Sequence, residues 1–260
     1  MQKILFIDIP SNIVENSKTD LVCFLPLKDF HNISSIGVSI FQNLSAEFLA
    51  KFINLKSIHV LGTSTDNIDK DYCLKKHISI TNVTHYCDHE TAEWIIWQVC
   101  NFFRQKNLSI YEKTIGIIGM GQIGQCLAKK SLGLALNTLF YSRHLKNFDA
   151  ACAAELNDIF KKSDVLVFTT KAYKEFTDIS LFKKLKPNAL VINICMGKIL
   201  SDDFCDNYLQ SRPDVKFLFD KIAAKYTTSQ KINIAEQNAY ETIDSKKRLI
   251  QKFLENCGLN

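Results

Sequence analysis

Glycines at 119, 121 and 124 fall in a G-x-G-x-x-G spacing after an apolar run, Ile115 to Ile118, and ahead of a helix-like stretch, Gln125 to Leu134. Such a turn does anion chemistry. The first glycine permits the tight bend, the second admits a pyrophosphate to the backbone, and the third lets helix and strand pack closely. Unpaired N–H groups of the helix's first turn and the positive end of its dipole then face the anion. A glycine turn with a purely structural job is the competing reading.

The next strand-like run, Asn137 to Tyr141, ends in Ser142-Arg143-His144, with Lys146 just beyond. An acid there would hold the 2′-hydroxyl of NAD's adenosine ribose, and none is present. A neutral serine beside an arginine suits a 2′-phosphate instead, through charge-assisted hydrogen bonds. NADP is therefore expected over NAD. The expected cofactor contacts are Gly119, Gly121, Gln122, Ile123 and Gly124 in the turn, Ser142, Arg143 and His144 after the next strand, and Thr169 and Thr170. The alternative is that Arg143 is only a solvated loop residue.

Elements of regular structure must carry these residues. Strands are expected at Ile4 to Ile7, Leu21 to Leu25, Ile36 to Val38 and Ile58 to Leu61, with a helix such as Ala46 to Phe52 between them. The pattern repeats at Thr114 to Ile118, Asn137 to Tyr141, Val165 to Thr169, Ala189 to Ile194 and Lys216 to Phe219. This alternation is α/β, with two doubly wound, mainly parallel sheets in tandem. The first unit is expected over residues 1–88 plus 238–260, where a C-terminal helix returns, and the second over residues 89–237. Thr91 to Arg104 reads as a linking helix whose apolar face holds Trp94, Ile95, Trp97, Val99, Phe102 and Phe103, with both tryptophans in the core. Asp88 reads as the N-cap and first-turn acid of that helix.

Composition excludes several classes. A chain of 260 residues with 47% hydrophobic and 23% charged residues is globular, not fibrous or disordered. Its formal charge of +5 is small and its basic residues are scattered, so no nucleic-acid partner is expected. No apolar stretch reaches bilayer length, so no membrane span is expected either. The nine cysteines are odd in number and form no CxxC pair, which fits a reducing cytoplasm better than a disulfide framework. His85 and His89 flank Tyr86 and Asp88 at helical spacing, but the glutamate of a HExxH site is missing, and no metal is assigned.

Four segments together resemble the D-isomer-specific 2-hydroxyacid dehydrogenases. They are Gly62-Thr63-Ser64-Thr65-Asp66-Asn67-Ile68-Asp69, Ile80-Thr81-Asn82-Val83 with Ala92-Glu93, the glycine turn, and Val191-Ile192-Asn193-Ile194-Cys195-Met196-Gly197. The resemblance runs from about Leu55 to Thr242. It implies a discontinuous flavodoxin-like substrate domain, an inserted Rossmann domain, and a cleft between them for substrate and nicotinamide. It also implies that Gly62, Thr63 and Ser64 offer backbone N–H groups to a substrate carboxylate, although Ser64 stands where a glycine is usual.

The same resemblance exposes a loss. The family's catalytic arginine, glutamate and histidine correspond here to Met196, Ala223 and Gln237, none of which carries charge or titrates. The arm that usually builds the family's homodimer is cut to about Gln105 to Lys113, so a homo-oligomer stays an open expectation. Lys171, Lys198, Lys221 and Tyr86 are the side chains that would rebuild a site, since a lysine supplies a point charge or, desolvated, a base. Plain surface exposure is the alternative for each lysine. Two functions follow. One is an NADPH-dependent oxidoreductase of altered chemistry that reduces an imine, enone or carbonyl in a small-molecule substrate. The other is a catalytically silent dinucleotide-binding regulator or scaffold.

Overall fold

The structure, a computed structural model, describes residues 3–13, 22–24, 30–144, 147–170, 176 and 178–259. It divides into two compact units, Met1–Tyr86 with Thr242–Asn260, and Cys87–Glu241.

The first unit is built on β1 (Lys3–Ile7), β2 (Val22–Phe24), β3 (Ile33–Ser39), β4 (Ser57–Leu61) and β5 (Ser79–Asn82). All pair in parallel, in the order β2-β1-β3-β4-β5. That order is the flavodoxin-like one. Short helices α1 (Ala46–Leu49) and α2 (Lys70–Lys75) lie between strands. Leu5, Ile36, Val38, Ile58 and Val60 form the core on one face of this sheet, and Phe6 points to the other, since a parallel sheet needs apolar side chains on both.

The chain returns to this unit through α8 (Ile243–Cys257), which is framed by a Thr242–Ser245 capping box and by Gly258 in the left-handed region at φ 70°. Arg248 Nε donates to the Tyr86 carbonyl at 3.0 Å and Asn256 Nδ2 to the Asn82 carbonyl at 3.2 Å. Phe253, fully buried, packs on Phe6 at 5.9 Å between centroids. The helix begins at Ile243, later than the expected start near Asn238.

The second unit opens with α3 (Asp88–Arg104) and continues as β6 (Thr114–Ile118), α4 (Gln122–Gly133), β7 (Asn137–Tyr141), β8 (Cys152–Ala153) and α5 (Leu156–Lys162). It proceeds through β9 (Val165–Phe168), α6 (Ile179–Phe182), β10 (Leu190–Asn193), α7 (Asp202–Ser211), β11 (Lys216–Phe219) and β12 (Asn233–Ile234). Its seven-stranded parallel sheet has the order β12-β11-β10-β9-β6-β7-β8. β9 and β10 are buried at every position, and they read as apolar runs, unbroken in β9 and closed by Asn193 in β10. One core, around Phe160, Phe168, Phe182, Tyr208 and Phe217, lies under α5, α6 and α7. The other, around Ile95, Val99, Ile117, Leu127 and Val167, lies under α3 and α4.

Two expectations for α3 are corrected. Its N-cap is Cys87, and Asp88 is the first helical residue, so Asp88 serves as a first-turn acid only. Trp94 is buried, but Trp97 is 60% exposed and lies outside the core stripe. The early helix is also shorter than expected, Ala46–Leu49 with Ala50 as its C-cap.

Candidate cofactor site

β6 lies between β7 and β9, where chain order reverses, and this is the point at which open α/β sheets bind ligands at their carboxyl ends. The turn after β6 occupies it. Gly119 sits at φ 108°, which disfavours any side chain, and a Cβ there would lie 2.9 Å from the Thr170 nitrogen. Its N–H donates to the Tyr141 carbonyl at 3.0 Å, which ties the turn to the end of β7. A Cβ on Gly124 would meet the Gly119 carbonyl oxygen at 2.4 Å, so the third glycine is the one that lets helix pack on strand. Gly121 is exposed, is the N-cap of α4, and would place a Cβ into open space.

These features fit a pyrophosphate. An anion can reach the exposed Gly121 backbone, and α4, at 12 residues, begins without a side-chain cap on its first-turn N–H groups. Gln122 is exposed at that end, whereas Ile123 is half-buried against the core and holds the helix down. Thr169, just past β9, donates from Oγ1 to the Gly119 carbonyl at 2.6 Å, and Thr170 is half-buried beside it.

At the end of β7, the His144 N–H donates to Ser142 Oγ at 3.4 Å, a side-chain-closed turn that puts Arg143 at its tip. Arg143 and His144 are exposed, and Arg143 has no carboxylate partner among the described residues. A guanidinium so placed is available to a phosphate.

Further along the same carboxyl edge stand two buried polar residues that were not expected as site residues from the sequence. Asn193 Oδ1 accepts from the Cys195 N–H at 3.0 Å, and the Asn193 carbonyl accepts from the Asp220 N–H at 3.1 Å. Asp220, 1% exposed, accepts from the Ala223 N–H at 2.7 Å and the Ala239 N–H at 3.4 Å. Burial raises its pKa to about 6, against the lowering effect of those hydrogen bonds. The available signal was positional: each is a polar residue closing an apolar strand. Cys195 is buried and its thiol is pushed up to about 12, chiefly by burial, so it is an inert thiol and not a nucleophile.

Met196 is half-buried, Ala223 is buried, and Gln237 is exposed. Lys198 and Lys221 are both exposed, and Lys171 lies outside the described residues. In the first unit Tyr86 is buried, with its carbonyl held by Arg248. In the Gly62–Ser64 loop one backbone N–H, that of Gly62, and the hydroxyls of Thr63 and Ser64 are engaged. The Gly62 N–H donates to the Val60 carbonyl at 3.0 Å, Thr63 Oγ1 to the Val83 carbonyl at 3.2 Å, and Ser64 Oγ to Asp66 at 2.9 Å. The N–H expected from Gly62 is therefore already spent. His85 and His89 are exposed, and no cluster of metal-ligating side chains occurs among the described residues.

Residues 81–238 match the family model for the D-isomer specific 2-hydroxyacid dehydrogenase, NAD binding domain. The chain belongs to that family. Among curated relatives, it is 26% identical over 198 residues to the erythronate-4-phosphate dehydrogenase of Wigglesworthia glossinidia brevipalpis, covering 73% of this chain and 52% of the relative. The chain spans about half to three fifths of the length of such curated relatives. Two solved structures share the dehydrogenase fold. The D-lactate dehydrogenase of Aquifex aeolicus, complexed with NAD and lactic acid, aligns with a TM-score of 0.81 at 22% identity, covering 98% of this chain and 94% of that one. An acyclic imino acid reductase in complex with NADPH and D-Arg aligns at 0.80 and 20%, covering 99% and 96%. The family's NAD(P)-binding character thus falls on the unit that carries the glycine turn, and no helix among the described residues is long and apolar enough to cross a membrane.

Proposed function

We propose that this chain binds NADPH in preference to NADH and reduces a small molecule by a route that does without the family's usual acid–base set. The observation that carries the reading is the intact, Thr169-braced glycine turn beside a β7 end that bears Ser142, Arg143 and His144 and no acid. The α4 N-terminus and Gly121 hold the pyrophosphate, and Arg143, with His144 beside it, holds the 2′-phosphate.

The bound cofactor would supply the hydride, and the residues present favour a substrate that needs little proton transfer. Met196, Ala223 and Gln237 leave no charged group where the family places its arginine, glutamate and histidine. A protonated imine meets this limit best, since it takes a hydride without leaving an alkoxide to protonate; enones and carbonyls come next. The fold accommodates such chemistry, as the imino acid reductase with NADPH and D-Arg illustrates for that protein. Lys198 and Lys221, with Lys171, are the charges that remain for substrate anions. Lys198 is exposed two residues past Met196, and Lys221 is exposed directly after Asp220.

The second reading is a silent dinucleotide-binding regulator, favoured by the same three replacements. Screening imines, enones and 2-oxo compounds for NADPH oxidation separates the two. Turnover that falls in Lys171→Ala, Lys198→Ala or Lys221→Ala supports the rebuilt site. Turnover indifferent to all three refutes it, and NADPH binding with no turnover on any class favours the regulator.

A further inference from the structure

The opposite edge of the second unit's sheet holds a cavity of about 300 Å³, at the start of β6, β9 and β10 and so a strand's length from the glycine turn. Its floor is aromatic: Phe102 and Phe103, both buried, meet edge to face at 5.2 Å between centroids. Leu108 and Pro187 line its rim. Lys106 Nζ lies 4.2 Å from the Phe102 ring centroid and Lys113 Nζ 5.8 Å from that of Phe103.

The charge there is unbalanced. Asp164, the acid in the lining, is already satisfied: its Oδ2 accepts from the Thr114 N–H at 2.8 Å and from Lys186 Nζ at 3.0 Å. Lys106 and Lys113 have no ion-pair partner among the described residues. Burial and the nearby Lys216 ammonium lower the pKa of Lys106, against an opposing pull from Asp214. Two ammonium groups over rings, one of them partly desolvated, favour an incoming anion.

The backbone around the cavity is tied down. Asn188, in the lining, and Asn107 and Glu112, each next to a lining residue, hold left-handed backbone at φ 60°, 56° and 58°. The Leu108 N–H donates to the Phe103 carbonyl at 2.9 Å and the Asn188 N–H to Asp214 Oδ2 at 2.9 Å. Pre-organised walls reduce the ordering cost of binding.

We infer that this cavity is a binding site for a small organic anion with a flat aromatic body, its carboxylate between Lys106 and Lys113 and its ring against Phe102 and Phe103. The volume suits a single-ring acid. The site is independent of the proposed reductase chemistry and lies on the far edge of the same sheet.

Titration of the full chain with benzoate, benzamide and inorganic phosphate, followed by amide chemical shifts, tests it. Saturable benzoate binding is expected, with shifts centred on residues 102–113 and 188. Benzamide and phosphate should each bind about tenfold more weakly, and Lys106→Met or Lys113→Met should weaken benzoate by a similar factor while NADPH affinity stays unchanged. Benzamide or phosphate binding as tightly as benzoate, shifts centred elsewhere, or no saturable benzoate binding at millimolar concentration would each overturn the assignment. The shift map on the unsubstituted chain decides the matter even where a variant fails to fold.

Discussion

The Thr169 hydroxyl donates to the Gly119 carbonyl at 2.6 Å and so joins the end of β9 to the turn after β6, across the point where the sheet's order reverses. That carbonyl also lies where a Cβ on Gly124 would strike it. The hydroxyl holds this oxygen in place and Gly124 leaves it room, and together they set the shape of the anion turn.

Thr169→Val keeps the side-chain shape and removes the donor. A loss of about 1 kcal/mol in stability is expected, with NADPH affinity lower by roughly fivefold because the turn is less well held. Denaturant unfolding and calorimetry read the two effects.

Gly124→Ala forces the backbone apart at the tightest contact in the site. The expected cost is about 1–3 kcal/mol of stability, with a larger loss of NADPH affinity than for Thr169→Val. Gly121→Ala, whose Cβ enters open space, should fold normally and lose dinucleotide affinity alone. Equal thermal destabilisation by the two substitutions would contradict the division of labour between these glycines.

Arg143→Asp should lower NADPH affinity by roughly tenfold to a hundredfold and leave NADH affinity unchanged or higher. An unchanged NADPH affinity would show that Arg143 is only a solvated loop residue.

Asp220 gives a pH prediction. Its folded pKa, about 6, lies above the ordinary 3.8, so the folded chain holds its proton where the unfolded chain releases it. Stability from this group is fully present below pH 3.8 and is lost as pH rises through 6, by an amount on the order of 3 kcal/mol. Asp220→Asn should flatten that slope between pH 4 and 6, as followed by chemical denaturation across the range. A slope identical to that of the unsubstituted chain would count against the buried, protonatable carboxyl.

The parallel sheets were legible from sequence because strands buried on both faces read as apolar runs, as in Val165 to Phe168 and Leu190 to Ile192. The glycine turn was legible because spacing and context coincide there. Trp97 departs from the expected core stripe because an apolar count does not give a helical angle: it lies roughly 200° around the axis from Ile95, on the far side from the core. The start of α8 was set too early because the Ala239 N–H bonds to Asp220 in the other unit's fold, and the Thr242–Ser245 capping box begins the helix only afterwards. Asp220 itself was hidden because its chemistry comes from burial, which a polar letter after an apolar run does not disclose.

Calorimetric titration of the purified chain with NADPH, NADH, NADP and NAD tests the central claim most directly. Tight binding of NADPH with a clear preference over NADH is expected. Binding of none of the four, or a preference for NADH, would contradict it.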